Sequence, residues 1–408
     1  MGNFENQLST HPNGNTRPGR KAVLWLLTIA VFVIGTAELL PMGLLLPIAN
    51  ETGTSIAATG MLVTGYALGV VFGGPLLSAM TGRLPRKTLI IVFMSVFIIG
   101  GIVCTASTSY EMLMLGRIIS SLAHGTLFGA IVVTAKDLAL PGKEGQSVAM
   151  VGSGLTVAVI LGAPIGTFLG QQFGWRFPFL AITLLSGAVL LGMIKQIPSL
   201  PRAESSSLPG QLRTVSRPAF LLVLLIIVFG TGGTFAVFTY ITPILERISG
   251  FSGGSVTIIL LIFGAGALIG NVIGGWLADR KLLPTLFGGM LLLATSMVSL
   301  TWTSQYKAAA IITIFIWGVA AYSIIAPLNI RSLQKAGDAQ ELASTLNISA
   351  FNMGNAIGAF VGGMVIDGIL GLAAVPWTAS LITLVGIVLT VWSAMLDQQG
   401  GSAKPLSQ

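Results

Sequence analysis

The chain has 408 residues, of which 53% are hydrophobic and only 8% are charged. A water-soluble protein carries about 25% charged residues, so this composition excludes the soluble classes and indicates an integral membrane protein. The net charge is +8, but in a membrane protein the positions of the basic residues are more informative than their sum, and no nucleic-acid partner is expected.

Transmembrane spans are predicted from runs of about 20 apolar residues, the length a helix needs to cross a bilayer. Residues 1–21 form a polar N-terminal tail, and the run after it is too long for a signal peptide and lacks a small-residue cleavage site. Twelve such runs follow one another. They lie near 22–48, 56–80, 88–107, 111–135, 146–169, 177–197, 219–245, 255–278, 284–303, 308–330, 344–368 and 374–396.

A polar, proline-rich segment at 198–218 divides these spans into two sets of six. We therefore predict two six-helix bundles, 22–197 and 219–396, joined by a linker at 198–218 and followed by a tail at 397–408. If the N terminus is cytoplasmic, all but four of the 21 Lys and Arg residues fall in cytoplasmic segments. The positive-inside rule then predicts that both termini are cytoplasmic.

The two halves show signs of an internal repeat. Gly69, Gly73 and Arg83 recur 197 residues later as Gly266, Gly270 and Arg280, near the cytoplasmic end of the second span of each half. Duplicated bundles of this kind are a common architecture of secondary transporters, whose substrate site lies between the repeats.

Glu38 is a carboxylic acid close to the middle of span 1. A charged side chain at this depth costs about 2.5 to 3.5 kcal/mol on insertion scales, and desolvation favours its protonated form. We predict that Glu38 carries a proton during transport. The alternative is a permanently protonated carboxyl that only bonds a neighbouring helix.

Arg117 and His124 are seven residues apart in span 4, which places them on one face of the helix at depths that bracket Glu38. We predict that they form a proton-coupling cluster with Glu38. Arg117 could pair with the Glu38 charge or hold helices together through backbone carbonyls. His124 could titrate or be a packed hydrogen-bonding residue.

Small residues form a stripe along span 5, where they allow a second helix to approach closely, and a proline there favours a bend. The residues are Gly154, Gly162, Pro164, Gly166 and Gly170. Span 11 has a similar stripe at Gly354, Gly358 and Gly362.

Two further groups are candidates for function. The first is a cytoplasmic gate of charged residues in the loops after spans 2 and 8, although the positive-inside rule alone accounts for the basic ones. These residues are Arg83, Arg86, Lys87, Asp279 and Arg280. The second is a set of polar and aromatic residues that could line a substrate cavity, namely Tyr66, Phe238, Tyr240, Trp317, Asn352 and Asn355.

The chain lacks the motifs of an ATP-driven pump, a metal centre or a membrane hydrolase. We therefore expect no catalytic residue, no metal and no cofactor, so that an ion gradient is the remaining energy source. Cys104 lies in an apolar run and is interpreted as a core residue.

Together these residues resemble the major facilitator superfamily, specifically its twelve-span drug:proton antiporters and their arabinose-efflux-permease-like branch. The resemblance covers 22–396 and depends on short sequences around the residues named above. They are GTAE at 35–38, Arg117 with HG at 124–125, GAPIG at 162–166, GWR at 174–176, YITP at 240–243, 275–280 and NMGN at 352–355.

This resemblance implies two rocking bundles around a central cavity, a monomer in the bacterial inner membrane, and export of a small molecule in exchange for protons. Glu38 matches the family's span 1 acid, Arg117 its span 4 arginine, and the span 5 stripe its antiporter motif. Gly82 and Pro85 depart from the family's gate motif, which has Asp and Gly there, whereas Asp279 keeps the acid in the second half.

The sequence thus predicts a proton-coupled exporter of small molecules such as drugs, sugars or nucleosides. One alternative is an uptake or facilitative permease for sugars or metabolites with the same fold. Another is a membrane sensor that no longer transports.

Overall fold

A computed structural model describes residues 20–81, 84–198, 216–337 and 340–402 of the chain. Within these ranges, twelve helices are long and apolar enough to cross a membrane and no strand is present, which confirms the predicted all-helical class. The spans are Arg20–Gly43, Ile56–Ser78, Arg86–Ala106, Tyr110–Asp137, Glu144–Phe173, Arg176–Gln196, Pro218–Thr239, Gly253–Arg280, Leu282–Thr303, Lys307–Ala336, Leu342–Asp367 and Leu372–Gln399.

Several sequence-based predictions fall outside the described residues. They concern residues 1–19 of the N-terminal tail, most of the linker (199–215), gate residue Arg83 and the last six positions of the chain. The last helix continues to Ser402, so part of the predicted tail at 397–408 is helical.

Prolines end helical segments at three places in the fold. Proline has no N–H group to bond the carbonyl four residues earlier, which favours a helix end there, although the helix of span 1 continues past Pro41. The last helical residue and its proline are Gly43 and Pro47, Thr239 and Pro243, and Ser323 and Pro327. The helices of spans 1 and 7 therefore end earlier than the predicted runs 22–48 and 219–245, and a short helix, Leu45–Thr52, follows span 1.

The glycine stripe of span 5 packs directly on span 1. A Cβ atom at Gly154 would overlap the Thr28 carbonyl oxygen, and one at Gly162 would overlap Thr36. Gly166 and Gly170 face Leu40 and Leu44 in the same way. Before Pro164, one π-helical turn spans Ala158–Gly162, as expected where a proline interrupts the regular hydrogen bonds.

Equivalent helix contacts recur in the second half. The glycines of span 11 face span 7, as those of span 5 face span 1. Gly69 and Gly73 pack on span 4, and their repeat partners Gly266 and Gly270 pack on span 10. The residue pairs separated by 197 positions thus make the same kind of contact in both halves.

The two halves meet closely on the side of the membrane opposite the termini, called here the far side. Thr242 Oγ1 donates to the Met42 carbonyl across 3.0 Å, joining the ends of spans 7 and 1. Tyr240 donates to the Ala359 carbonyl across 2.9 Å, and its ring lies against Gly60 of the first half. These contacts close the far side.

On the terminal side, where Arg20 and Ser402 lie, spans 2, 4 and 11 leave a small cavity of about 30 Å³. Gly74, Gly125 and Gly129 are among its lining residues, and Gly74 and Gly125 pack against each other. The assignment of the terminal side to the cytoplasm stays a prediction.

Candidate functional site

Glu38 lies in span 1 where the two halves meet. Its Oε1 atom accepts a hydrogen bond of 3.0 Å from Asn355 Nδ2 in span 11. Its Oε2 atom lies 4.0 Å from His124 Nδ1 in span 4. The side chain keeps 14% of its surface exposed, so it is largely buried at this junction and not placed on the lipid surface.

Arg117 binds the backbone of span 1, and Pro41 explains why a carbonyl is free there. Pro41 lies inside the span 1 helix and has no N–H group for the carbonyl four residues earlier, which belongs to Ala37. Arg117 donates to this Ala37 carbonyl and, across 3.1 Å, to the Glu38 carbonyl. These contacts are of the backbone-binding kind, and that Arg117 also tunes the charge of Glu38 stays a prediction.

The guanidinium of Arg117 also stacks on an aromatic ring. Its Cζ atom lies 3.9 Å from the centre of the Tyr66 ring, a cation–π contact. Arg117 is 2% exposed, and it makes no ion pair with the Glu38 carboxylate within 4.0 Å. The attraction between the two charges therefore acts over a longer distance.

His124 is packed among neighbours in the first half. It is 3% exposed, and its Nδ1 atom lies 3.2 Å from the hydroxyl of Tyr66. Its ring also contacts Phe128. Tyr66, predicted as a cavity residue, instead lies between Arg117 and His124, so it belongs to this polar cluster.

A small cavity of about 50 Å³ lies mostly within the second half. Leu39, the residue after Glu38, forms part of its wall, and half of the other lining residues are aromatic. The lining residues are Leu39, Val159, Thr231, Thr234, Phe235, Phe238, Phe263, Ala321, Tyr322, Ile325 and Phe351. Of the six predicted cavity residues, Phe238 is the one in this wall.

The other predicted cavity residues occupy different places. Trp317 is buried behind the wall, with its ring centre 4.5 Å from that of Phe263. Tyr240 is in the far-side contact between the halves. Asn352 donates to the Ile348 carbonyl of its own helix across 3.1 Å, whereas Asn355 bonds Glu38.

Several lining residues carried no signal in the sequence. Phe235, Phe263 and Phe351 are ordinary apolar residues of a membrane helix, and only the rotation of each helix directs them inward. Leu39 was traceable through its position next to Glu38. Thr234 adds a polar atom to the wall, since its buried hydroxyl has no hydrogen-bond partner among the described residues.

The predicted gate residues do not form one cluster in the part of the chain that the structure describes. Arg86 forms an ion pair with Asp137, and both belong to the first half. Lys87 is half-buried and Asp279 is exposed. Arg280 stacks on Trp276, with its Cζ atom 3.7 Å from the ring centre.

A charged cluster on the far side fixes the loops of the first half. Glu51 pairs with Arg176 and accepts a 2.7 Å hydrogen bond from Trp175 Nε1. Arg176 also donates to the Ser107 carbonyl across 2.8 Å. The hydrogen bond from Arg176 lowers the pKa of Glu51 below its ordinary value.

Comparison with known proteins agrees with this architecture. The chain is 38% identical over 371 residues to the inner membrane transport protein YdhP of Escherichia coli (strain K12), covering 90% of this chain and 95% of that protein. It is 36% identical over 378 residues to the MFS-type transporter YtbD of Bacillus subtilis (strain 168), covering 91% and 95%.

A solved structure shares the fold at low sequence identity. It is a bacterial homolog of the human lysosomal transporter Spinster, in an inward-facing and occupied conformation. The TM-score is 0.77 at 18% identity, covering 93% of this chain and 98% of that one.

These matches make the chain a membrane transporter, multi-pass in the bacterial inner membrane. The model of the Major Facilitator Superfamily matches residues 27–344. Together with the twelve helices, the two packed halves and the relatives above, this match shows that the chain belongs to the major facilitator superfamily.

Proposed function

We propose that this transporter is a proton-coupled exporter of small molecules such as drugs, sugars or nucleosides, and that Glu38 carries the proton. The observation that carries the proposal is the place of the Glu38 carboxyl, at the meeting of the two halves and next to the cavity wall at Leu39. A proton on Glu38 and a substrate in the cavity would act on the same junction between the halves.

The surroundings of Glu38 suit reversible proton binding. An ionised carboxylate is costly at this depth, and the Arg117 guanidinium is directed at backbone carbonyls instead of neutralising it. We propose that water reaches the carboxyl through the 14% of the side chain that is exposed. No cofactor is needed in this scheme, because the proton gradient supplies the energy.

Alternating access supplies the coupling. Two ligands are exchanged when each biases the same two-state equilibrium between arrangements of the halves. The direction of transport is proposed from the glycine and proline stripe of span 5, which matches the antiporter motif of exporters. We propose that the monomer is the transporting unit.

Everted membrane vesicles from an efflux-deficient bacterium test this proposal. Respiration acidifies the vesicle lumen, and a fluorescent probe follows the pH gradient while tetraphenylphosphonium, chloramphenicol, L-arabinose or uridine is added. An exporter dissipates the gradient when its substrate is added outside, because the substrate enters the lumen as protons leave.

The variant Glu38→Gln should abolish this dissipation while the protein still folds. Glu111→Gln is the matched control, since Glu111 is an exposed acid at the start of span 4. Dissipation that persists unchanged in Glu38→Gln would overturn the role of Glu38. If the compound and protons instead cross the membrane in the same direction, toward the side that is cytoplasmic in the cell, the protein is the uptake permease.

A further inference from the structure

Asn355 is the residue of the second half that touches the proposed proton carrier. Its Nδ2 atom donates to Glu38 Oε1 across 3.0 Å, and the residue is 4% exposed. Its Oδ1 atom is buried and has no hydrogen-bond partner among the described residues. The amide is thus held at the junction by its contact with Glu38 and not by its own helix.

The other titratable or charged groups around Glu38 come mainly from its own half. Arg117 and His124 belong to span 4 and Tyr66 to span 2, so they move together with span 1 when the halves rearrange. From the second half, Tyr322 of span 10 lines the cavity beside Leu39. The hydrogen bond of Asn355 crosses the junction and must break when the halves separate at this depth.

On the basis of the proposed proton exchange, we infer that Asn355 is a positioning residue that makes the arrangement of the two halves depend on the charge of Glu38. A hydrogen bond to an ionised acceptor is about twice as strong as a neutral one. Ionised Glu38 therefore holds the far-side-closed arrangement through Asn355, and protonated Glu38 holds it less firmly.

This dependence would prevent leakage in an exporter. An empty carrier with ionised Glu38 should not change its arrangement, because that step would let protons pass without substrate. A proton on Glu38 weakens the bond to Asn355, and a substrate beside Leu39 can displace the amide. Each ligand then releases the same contact, and the empty carrier keeps it.

Distances between spin labels on the two halves test the inference without a substrate. The labels are placed at Leu140→Cys and Leu333→Cys, two exposed terminal-side positions in different halves, in a Cys104→Ser background. Double electron–electron resonance then gives the ratio of the two arrangements as a function of pH.

In the parent protein, the far-side-closed arrangement should dominate at high pH and decrease as the pH is lowered. Asn355→Ala should lower its ratio at high pH by about tenfold to a hundredfold, because the whole charge-assisted hydrogen bond is lost. The response to pH should shrink by about fivefold to tenfold, the difference between a charge-assisted and a neutral hydrogen bond. Asn355→Ser, whose side chain is too short to reach Glu38, should do the same, and Asn355→Gln should restore part of the response.

Asn347→Ala is the matched control. Asn347 is a buried amide on the same helix, but it bonds Asn329 of its own half, so its loss should leave the pH response unchanged. In a Glu38→Gln background, Asn355→Ala should have no further effect on that response.

The outcomes separate the two proposals. An unchanged pH response in folded Asn355→Ala or Asn355→Ser would overturn the role of Asn355 while leaving Glu38 as the proton carrier. A distance that does not depend on pH, or a dependence that survives in Glu38→Gln, would overturn the proposed function and this inference with it.

Discussion

The contact between Arg117 and the Ala37 carbonyl depends on a proline, and this dependence can be tested with two substitutions. Pro41 leaves the Ala37 carbonyl without its helical partner, and Arg117 supplies the donor. Arg117→Met removes that donor. Pro41→Ala introduces an N–H group at the position from which a regular helix would bond the same carbonyl.

The expected magnitude follows from the contacts that are lost. A buried carbonyl left without a partner costs about 1 to 3 kcal/mol. Loss of the cation–π contact with Tyr66 costs about 2 kcal/mol at a desolvated site. Removal of a buried charge offsets these losses by several kcal/mol. Only the carbonyl contribution changes with residue 41, so Arg117→Met should cost about 1 to 3 kcal/mol less in the Pro41→Ala background.

The free energy of unfolding can be measured by titration with sodium dodecyl sulfate, followed by far-ultraviolet circular dichroism. The four proteins of the cycle are the parent, each single variant and the double variant. An equal cost of Arg117→Met in both backgrounds would refute the reasoning, because Arg117 would then not be replacing the missing helical donor.

The remaining predictions concern packing, pH and the cavity. Gly154→Ala should destabilise the protein by more than about 1 kcal/mol because its Cβ overlaps the Thr28 backbone, whereas Gly152→Ala, with open space around it, should be neutral or stabilising in the same titration. Because Arg176 lowers the pKa of Glu51, their contact should stabilise the protein above the ordinary carboxyl pKa and be lost as the pH falls through the lowered one. Glu51→Gln should remove that acid-side change in melting temperature, measured by size-exclusion thermostability. Thr234→Val should not lower stability, since the buried hydroxyl it removes is unpartnered, but should reduce binding of hydrogen-bonding substrates in a filter assay.

The number of spans could be predicted from the sequence because the length of an apolar run is fixed by bilayer thickness. The ends of the helices at Gly43 and Thr239 could not be predicted from hydropathy, which counts apolar side chains and is insensitive to missing backbone donors. Counting four residues back from Pro47 and Pro243 gives the observed ends, but the same count from Pro41 gives Ala37, which lies inside the span 1 helix, so a proline alone does not identify a helix end.

The depths of the candidate site residues in the membrane could be predicted from the sequence, but their contacts could not. The rise of a helix places Glu38, Arg117 and His124 at similar depths, and the structure brings them together. Which carbonyl Arg117 would bind depends on how spans 1 and 4 are rotated against each other, and the contact of Asn355 with Glu38 depends on the rotation of spans 1 and 11. These rotations cannot be predicted from a single sequence, because they depend on how the helices pack.

The aromatic wall of the cavity was unpredictable for a similar reason. The sequence does not distinguish Phe263 and Phe351, which line the cavity, from phenylalanines that face lipid. Phe72 and Phe360 are examples of the latter and are exposed. Burial in a membrane helix is decided by the partner helix and not by the hydrophobicity of the residue, since lipid and protein core are equally apolar.

Proton release on substrate binding tests the exchange at Glu38 most directly. The purified protein is placed in weakly buffered detergent solution with a pH indicator, and a compound that dissipated the gradient in vesicles is added. We expect the parent protein to release protons on binding, and Glu38→Gln to bind the same compound without releasing any. Equal proton release from both proteins would contradict the assignment of Glu38 as the proton carrier.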